Sequence, residues 1–239
     1  MAGAQCCENP PILSSTSGAG HVEELGGLKT YISGPPDSKF AVLLVHDAFG
    51  YEAPKARMLA DKVASAGFFV LLPDFFHGDP LVLNNPNRSI QDWLKDHPAD
   101  KAFEEAKLVI EALRSKGVSK IGAAGFCWGG KVAAELAKDA CIQAAVLLHP
   151  SFVTLDDIQG TKVPISILSA EIDHITPPEL AKKFDEALQA KPEVDSFVKI
   201  YHGVVHGWTL RYDDDDAEAV KRAEESHKEM LDWFGKYVC

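Results

Sequence analysis

The chain has 239 residues, of which 46% are hydrophobic and 25% are charged, a balance typical of a folded globular protein. Its 24 basic and 35 acidic residues give a formal net charge of -11, which disfavours binding to nucleic acid or to an anionic membrane surface. The apolar runs, such as Phe40–Val45, are far shorter than the roughly 20 residues that cross a bilayer. We therefore expect neither a nucleic-acid partner nor a membrane partner.

The N-terminal part of the chain differs in composition from the remainder. Residues 1–19 are rich in proline, serine, glycine and threonine, which predicts an irregular arm. Residues 20–239 are expected to form one domain, because no linker or internal repeat divides them. The first predicted elements are two strands of a hairpin, His21–Leu25 and Leu28–Ile32, joined by a Gly-Gly turn.

After the hairpin, short apolar strands alternate with amphipathic helices. The predicted strands are Phe40–Val45, Phe68–Leu72, Lys120–Ala124, Ile142–Leu148, Pro164–Ser169 and Phe197–Tyr201. The predicted helices are Ala53–Ala66, Lys101–Lys116, Trp128–Lys138, Pro178–Ala190 and Ala217–Tyr237. This alternation indicates an α/β fold, with a mostly parallel sheet covered by helices on both faces. The long irregular stretch Phe75–Asp100 is expected to form a lid or a wall of a binding site.

The cysteines show neither the pattern of a disulfide framework nor the spacing of zinc ligands. They are Cys6, Cys7, Cys127, Cys141 and Cys239. The N-terminus also lacks the basic and apolar regions of a signal peptide. These features favour a cytoplasmic protein with free thiols, in which a well-placed cysteine is a candidate nucleophile.

One cysteine lies in a motif with chemical meaning. The sequence Gly125-Phe126-Cys127-Trp128-Gly129 separates a predicted strand from a predicted helix. This spacing is typical of a nucleophile elbow, in which small residues flank a nucleophile on a strained turn. The N-terminus of the following helix favours a thiolate and can hold an oxyanion. A glycine-rich turn around a buried structural cysteine gives the same pattern, so partner residues have to distinguish the two.

An acid and a base follow the cysteine in the order typical of such folds, each on the loop after its own strand. Cys127, Asp173 and His206 are therefore predicted as nucleophile, acid and base. His206 would take the thiol proton, and Asp173 would orient the imidazole. Three neighbouring residues are rivals for the acid or the base: Glu171, His174 and His202.

The loop after the first apolar strand of the sheet is expected to reach the same site. The backbone N–H groups of Ala48 and Trp128 are predicted to form an oxyanion hole. Asp47 would lie at the entrance near Cys127, although a turn or N-cap role fits it as well. Trp128 and Trp208 are predicted either to wall an acyl pocket or to belong to the core.

Four segments, HDAFG, GFCWGG, EIDHITPP and VVHGW, resemble the dienelactone hydrolase family, which consists of carboxymethylenebutenolidase-like α/β-hydrolases. The resemblance covers roughly residues 25–239. It implies an α/β-hydrolase fold, the triad Cys127, Asp173 and His206, and cleavage of an ester or lactone. The N-terminal Cys-Cys-x-Asn-Pro-Pro also resembles plant members, some of which carry a β-glucanase name.

The resemblance further implies residues that activate the thiol and bind the substrate. In bacterial lactone enzymes of the family, a glutamate in the first loop helps to deprotonate the cysteine, and Asp47 stands at that place. Those enzymes also hold a substrate carboxylate with arginines. Arg211 and Arg88 are the candidate counterparts here.

Three functions stay open at the level of the sequence. The favoured one is hydrolysis of a small-molecule ester or lactone through a thioester acyl-enzyme. A β-glucanase-type glycosidase would need two carboxyl groups, such as Asp47 with Asp173 or Glu171. A catalytically weak ligand-binding protein on the same scaffold is the third.

Neither a metal nor an organic cofactor is expected. The chain lacks a dinucleotide-binding or phosphate-binding glycine motif, so no nucleotide cofactor is inferred. The acidic run Asp213–Asp216 lacks the ligand spacing of a calcium loop. It is better interpreted as a solvated run that caps the last helix.

Overall fold

The computed structural model describes residues 10–239, which form eight strands and seven helices. The strands are β1 His21–Leu25, β2 Leu28–Ser33, β3 Phe40–Val45, β4 Phe69–Pro73, β5 Lys120–Phe126, β6 Ala144–Leu148, β7 Ile165–Ile172 and β8 Ser196–Val205. The helices are α1 Pro54–Ser65, α2 Ile90–Asp96, α3 Ala99–Ser115, α4 Trp128–Asp139, α5 Leu155–Gly160, α6 Pro178–Gln189 and α7 Ala217–Tyr237.

The eight strands form one sheet in the order β1-β2-β4-β3-β5-β6-β7-β8. The first hairpin is antiparallel, and β2 pairs antiparallel with β4. The other pairs are parallel, from β4 through β8. The prediction of a mostly parallel sheet is therefore confirmed. The loops that follow β3, β5, β6, β7 and β8 consequently meet at one edge of the sheet, where ligands bind in open α/β folds.

Helices cover both faces of the sheet, as the apolar strands require. On one face, α1 and α7 bury residues such as Leu59 and Phe234 against the sheet. On the other face, α3, α4 and α6 bury residues such as Val109, Val132 and Phe184. The central strand β3 contributes side chains to both clusters, since successive residues of a strand point to opposite faces.

Two short helices were not predicted from the sequence. Helix α2 lies inside the stretch Phe75–Asp100, which was expected to be irregular, and Ser89 caps it by accepting from the Asp92 N–H. Helix α5 is capped reciprocally by Thr154 and Asp157. Helices of six or seven residues span fewer than two turns, too little for a hydrophobic period to emerge. Their capping residues were the signal that could have revealed them.

Strands β7 and β8 are longer than their apolar cores predict. Pairing continues beyond a bulge near Ala170 to the pair Ile172 and Val205. Polar side chains are tolerated there because the ends of both strands are partly solvated. The extension carries Glu171 inside a strand and leaves Asp173 and His206 each one residue past a strand end.

The arm has neither helix nor strand over residues 10–20. The buried guanidinium of Arg57 links the arm to the loop before α1. Its Nη1 donates to the Ser15 carbonyl of the arm at 2.8 Å, and its Nε donates to the Tyr51 carbonyl of that loop at 3.0 Å. Residues 1–9, with Cys6 and Cys7, lie outside the described residues.

The described part of the chain contains three cysteines, Cys127, Cys141 and Cys239, and none of them forms a disulfide there. Among the helices of residues 10–239, none has the length and apolar character needed to span a bilayer.

Candidate active site

Cys127 occupies a strained turn between β5 and α4, with φ 50° and ψ −112°. A Cβ on Gly125 would lie 2.1 Å from the Gly129 carbonyl oxygen, and a Cβ on Gly129 would lie 2.2 Å from a carbonyl oxygen at the end of β3. Both positions therefore exclude any larger residue, which explains the spacing of the motif. Cys127 itself is fully buried. A residue held at positive φ in such a place indicates a functional constraint.

Asp173 and His206 meet on neighbouring loops. Asp173 Oδ2 lies 2.7 Å from His206 Nδ1, and both side chains are completely buried. Asp173 Oδ1 accepts hydrogen bonds from the backbone N–H groups of Ile175 at 2.8 Å and Thr176 at 3.1 Å. Because both carboxylate oxygens are occupied, the carboxylate is fixed and holds the proton of His206 on Nδ1.

The charge state of His206 depends on its two neighbours. Burial by itself lowers the pKa of His206, but the nearby Cys127 sulphur and the Asp173 carboxylate outweigh burial and raise it from 6.5 to about 9. An imidazolium is therefore favoured beside the sulphur, the arrangement that stabilises a thiolate.

Asp47 contacts the same group of side chains. Its Oδ1 accepts from the Phe49 N–H at 3.0 Å, and its Oδ2 lies 3.3 Å from Arg211 Nη1. Burial raises the pKa of Asp47, Arg211 opposes this rise, and the charge of Cys127 adds to it. Asp47 thus accepts a hydrogen bond within its own turn and also lies close enough to Cys127 for the two charges to interact.

Gly207, the residue after His206, makes room for Arg211. A Cβ on Gly207 would lie 1.9 Å from the Arg211 guanidinium, and its φ of 90° favours glycine. Arg211 Nη2 also donates to the His206 carbonyl at 3.3 Å. The side chain of Arg211 is almost completely buried and ties the loop of the predicted base to the loop of Asp47.

The loop that carries Ala48 is held by His46. His46 Nε2 accepts from the Phe75 N–H at 3.3 Å, so Nδ1 carries the proton and donates to the Asp47 carbonyl at 2.8 Å. Burial lowers the pKa of His46 to about 4, and the ring stays neutral. The Ala48 carbonyl in turn accepts from the Leu81 N–H at 2.9 Å. These bonds fix the backbone from which the Ala48 N–H is predicted to bind an oxyanion.

The two predicted pocket tryptophans are buried on different sides of the site. Trp128 is the first residue of α4, and its Nε1 donates to the His97 carbonyl at 3.1 Å. Its ring lies 4.7 Å from that of Phe76. Trp208 packs against the rings of Tyr201 and His149 at 5.3 and 5.4 Å. Both tryptophans therefore belong to packed aromatic clusters that adjoin the site.

Arg88 is engaged elsewhere. Its guanidinium lies 2.6 Å from Asp79 and 2.6 Å from Asp96, two partly exposed carboxylates. His97 Nε2 also lies 2.7 Å from Asp79. Within residues 10–239, these ion pairs place Arg88 in the loop around α2 rather than among the buried charges of Asp47, Asp173 and Arg211.

The rival acid and bases lie outside this buried group. Glu171 pairs with His202 at 2.9 Å, and both side chains are exposed. His174 is also exposed. Exposure leaves these groups in water, where a proton relay to a buried sulphur has no geometric support.

The sequence analysis missed two residues that directly follow β6. Ser151 Oγ lies 3.3 Å from Cys127 Sγ, and the ring of His149 lies 5.0 Å from that of His206. Both are fully buried, and His149 has a positive φ of 38°. The signal was available, because β6 neighbours the strand of the elbow and its loop reaches the same sheet edge.

A cysteine on a strained turn between a central strand and a helix, at the edge of a mostly parallel sheet, is the arrangement typical of an α/β-hydrolase fold. The sequence model of the dienelactone hydrolase family matches residues 28–238. The chain therefore belongs to the dienelactone hydrolase family.

Relatives agree with this membership. A carboxymethylenebutenolidase homolog of Xenopus tropicalis is 33% identical over 92% of this chain and 91% of its own length. An endo-1,3;1,4-beta-D-glucanase of Zea mays is 42% identical over 80% of this chain, which spans 64% of the length of the maize protein. The crystal structure of dienelactone hydrolase from Anabaena variabilis matches 96% of this chain and all of its own chain, with a TM-score of 0.67. At 16% identity, this last similarity concerns the fold alone.

Proposed function

We propose that this protein hydrolyses a small ester or lactone through a thioester on Cys127. The observation that carries the proposal is the fully buried contact of 2.7 Å between Asp173 and His206, coupled to a cysteine on a strained elbow. Family membership supports the reaction class. The charge interaction with the Cys127 sulphur that helps to raise the pKa of His206 supports a nucleophilic thiol rather than a structural one.

The first half of the reaction forms the acyl-enzyme. The Cys127 sulphur attacks the carbonyl carbon, a C–S bond forms, and the carbonyl oxygen becomes an oxyanion. The N–H groups of Ala48 and Trp128 stabilise that charge, helped by the N-terminus of α4. As the tetrahedral intermediate collapses, the C–O bond breaks and the His206 imidazolium gives its proton to the leaving oxygen.

The second half releases the acid. Neutral His206 takes a proton from water, and the resulting hydroxide attacks the thioester carbon. The C–S bond then breaks, and the sulphur returns as the thiolate beside protonated His206. Asp173 holds the imidazole orientation in both halves, because its two oxygens are fixed by hydrogen bonds.

The surroundings of the site favour an uncharged acyl group. The positive charge of Arg211 is already opposed by Asp47 at 3.3 Å, and Arg211 also donates to the His206 carbonyl. In this proposal, Arg211 orders the site instead of holding a substrate carboxylate, and Arg88 plays no part in binding. A nucleophilic thiol requires reducing surroundings, which fits a cytoplasmic enzyme.

A glycosidase is the second candidate, and the name of the maize relative favours it. Glycoside cleavage needs one carboxyl group to give a proton and another to attack or to activate water. Asp173 is fully occupied by His206 and two N–H groups, and Asp47 is occupied by Phe49 and Arg211. Both carboxylates are therefore committed to protein contacts, which supports the esterase over the glycosidase.

Two variants test the proposal. Cys127→Ala is expected to lower turnover of a p-nitrophenyl ester on the order of 10³-fold or more, because the nucleophile is removed. The matched control is Cys141→Ala, which removes another free thiol and should leave turnover unchanged. Mass spectrometry of the wild-type protein with a slow ester should show an acyl adduct on Cys127.

Three outcomes would contradict the ester hydrolase. Unchanged ester turnover in Cys127→Ala would exclude the thiol as nucleophile. Reducing-sugar release from mixed-linkage glucan that survives this substitution would favour the glycosidase. Tight binding of an ester with thermal stabilisation but without turnover would favour a ligand-binding protein.

A further inference from the structure

Ser151 contacts the elbow cysteine at two points. Its hydroxyl oxygen lies 3.3 Å from Cys127 Sγ, and its backbone N–H donates to the Cys127 carbonyl at 2.8 Å. Both residues are fully buried, so this contact does not compete with bulk water. A hydrogen bond in such surroundings is electrostatically stronger than one on the surface.

The backbone around Ser151 is fixed from two directions. The preceding carbonyl, that of Pro150, accepts from Thr176 Oγ1 at 2.6 Å, and the Thr176 N–H donates to Asp173 Oδ1 at 3.1 Å. Pro150 also lies against the first turn of α4, where a Cβ on Gly130 would be 2.7 Å from the proline ring. The hydroxyl of Ser151 is therefore held at the sulphur by the same loop that carries Asp173.

The charges around the sulphur explain why a neutral donor is useful there. Asp47 faces Cys127 from the loop after β3, and His206 faces it from the loop after β8. Two further charged residues contact these two: Asp173 pairs with His206, and Arg211 pairs with Asp47. The carboxylate of Asp47 opposes a thiolate, and His206 favours it. A hydroxyl that donates to the sulphur stabilises the thiolate without bringing another charge into the buried site.

We propose that Ser151 is a positioning residue that donates a hydrogen bond to the Cys127 sulphur and stabilises its thiolate. The inference rests on the proposed role of Cys127 as nucleophile. It adds a residue from the β6 loop to a site otherwise built from the loops after β3, β5, β7 and β8.

The test measures the thiolate itself rather than turnover. The ultraviolet absorbance of the Cys127 thiolate is followed against pH, as the difference between each protein and the same protein carrying Cys127→Ala. Ser151→Ala is expected to raise the midpoint of this titration by between about one and two pH units, because a hydrogen bond to a charged group is lost. At a pH well below the wild-type midpoint, the thiolate fraction should fall by about tenfold or more.

Two variants serve as controls. Ser166→Ala removes an equally buried hydroxyl from β7 that has no hydrogen-bond partner within the described residues, and the midpoint should not move. Ser151→Thr keeps the hydroxyl and should restore a midpoint close to that of the wild type. Thermal unfolding of each variant confirms that the folded protein is being titrated.

An unchanged midpoint in folded Ser151→Ala would overturn the proposal, as would a midpoint that moves to lower pH. The latter result would mean that the hydroxyl accepts from the neutral thiol. Failure of the proposed hydrolase function is distinguishable from both, because it concerns ester turnover and the acyl adduct. A raised midpoint in a protein without ester turnover would uphold the role of Ser151 and reject the function.

Discussion

Two histidine–carboxylate pairs join β7 to β8, and they differ mainly in their burial. His206 and Asp173 lie 2.7 Å apart with no exposed side-chain surface. His202 and Glu171 lie 2.9 Å apart, with 81% and 44% of their side chains exposed. Nearly the same distance and the same chemistry therefore occur twice within a few residues.

The distance between a histidine and a carboxylate is therefore not enough to distinguish a candidate catalytic pair from a surface ion pair. In water, the exposed pair is screened and costs side-chain entropy to hold together. Inside the protein, the buried pair is fixed by two further N–H groups and lies beside the Cys127 sulphur. The two pairs thus differ in their burial and in the cysteine beside one of them, and we expect these differences, rather than the pairing itself, to determine reactivity.

The largest contrast is expected in turnover. His206→Gln should lower kcat/KM for a p-nitrophenyl ester by about 10²–10⁴-fold, because general acid–base catalysis is lost. The matched substitution in the exposed pair, His202→Gln, should leave kcat/KM within about twofold, as expected for a surface position. Steady-state kinetics of both variants measures this contrast, and equal losses would remove the distinction between the two pairs.

A second contrast concerns stability. Asp173→Ala leaves the buried His206 imidazolium and two backbone N–H groups without their acceptor, and should lower the free energy of unfolding by about 3–5 kcal/mol. Glu171→Ala removes an exposed partner and should have no measurable effect. Urea denaturation of the two variants provides the comparison. A small loss for Asp173→Ala would indicate that water replaces the carboxylate easily, against its complete burial.

The two arginines considered as substrate ligands extend the same comparison. Arg211→Ala leaves the buried Asp47 carboxylate without its ion pair, and should lower the free energy of unfolding by about 1.5–3 kcal/mol. Arg88→Ala removes two partly exposed ion pairs, and neither stability nor ester turnover should change. Parallel denaturation and kinetic measurements test both variants. A raised KM in Arg88→Ala alone would assign substrate binding to the α2 loop and contradict this expectation.

The last comparison concerns pH, and it separates buried histidines from one another. Burial lowers the pKa of His227 from 6.5 to about 4, whereas the neighbours of His206 raise its pKa to about 9. A group whose pKa is depressed by folding binds its proton more readily when unfolded. The contribution of His227 to stability is therefore present above pH 6.5 and is lost as pH falls towards 4, by at most about 1.4 kcal/mol per pH unit.

His227→Gln should flatten the loss of stability between pH 6.5 and 4, because no proton is then taken up at that position. His202→Gln removes an exposed histidine and serves as the control. The measurement is the free energy of unfolding at several pH values across this interval. NMR titration of the ring protons should place the midpoint of His206 near 9 and that of His227 near 4. Identical slopes in wild type and His227→Gln would contradict the expectation.

Much of the architecture could be predicted from local patterns. The bounds of strands β3 and β4 and of helices α1 and α7 were predicted within one or two residues. A strand buried on both faces gives a continuous apolar run, and a helix buried along one side gives apolar residues at helical spacing, so both can be recognised in the sequence. Helices α2 and α5 were missed because they are too short to show a hydrophobic period, and only their capping residues indicate them.

The candidate site was predicted unevenly for a related reason. Cys127 stands in a motif whose glycines report a local steric requirement, so the sequence alone could indicate it. His149 and Ser151 stand in no motif, and their importance comes from the neighbouring position of β6 in the sheet. Arg211 and Arg88 could not be told apart, because nothing local to either residue shows which carboxylates surround it.

Local sequence patterns were sufficient to predict the alternation of strands and helices, the tight turn at Cys127 and the order in which a cysteine, a carboxylate and a histidine follow their strands. These features depend on steric and hydrophobic requirements over a few residues. Three features became evident from the folded chain alone: which histidine–carboxylate pair is buried, which arginine faces Asp47 and which hydroxyl contacts the sulphur. Those outcomes depend on contacts between loops far apart in the chain, whose energies exist only once the sheet has brought them together.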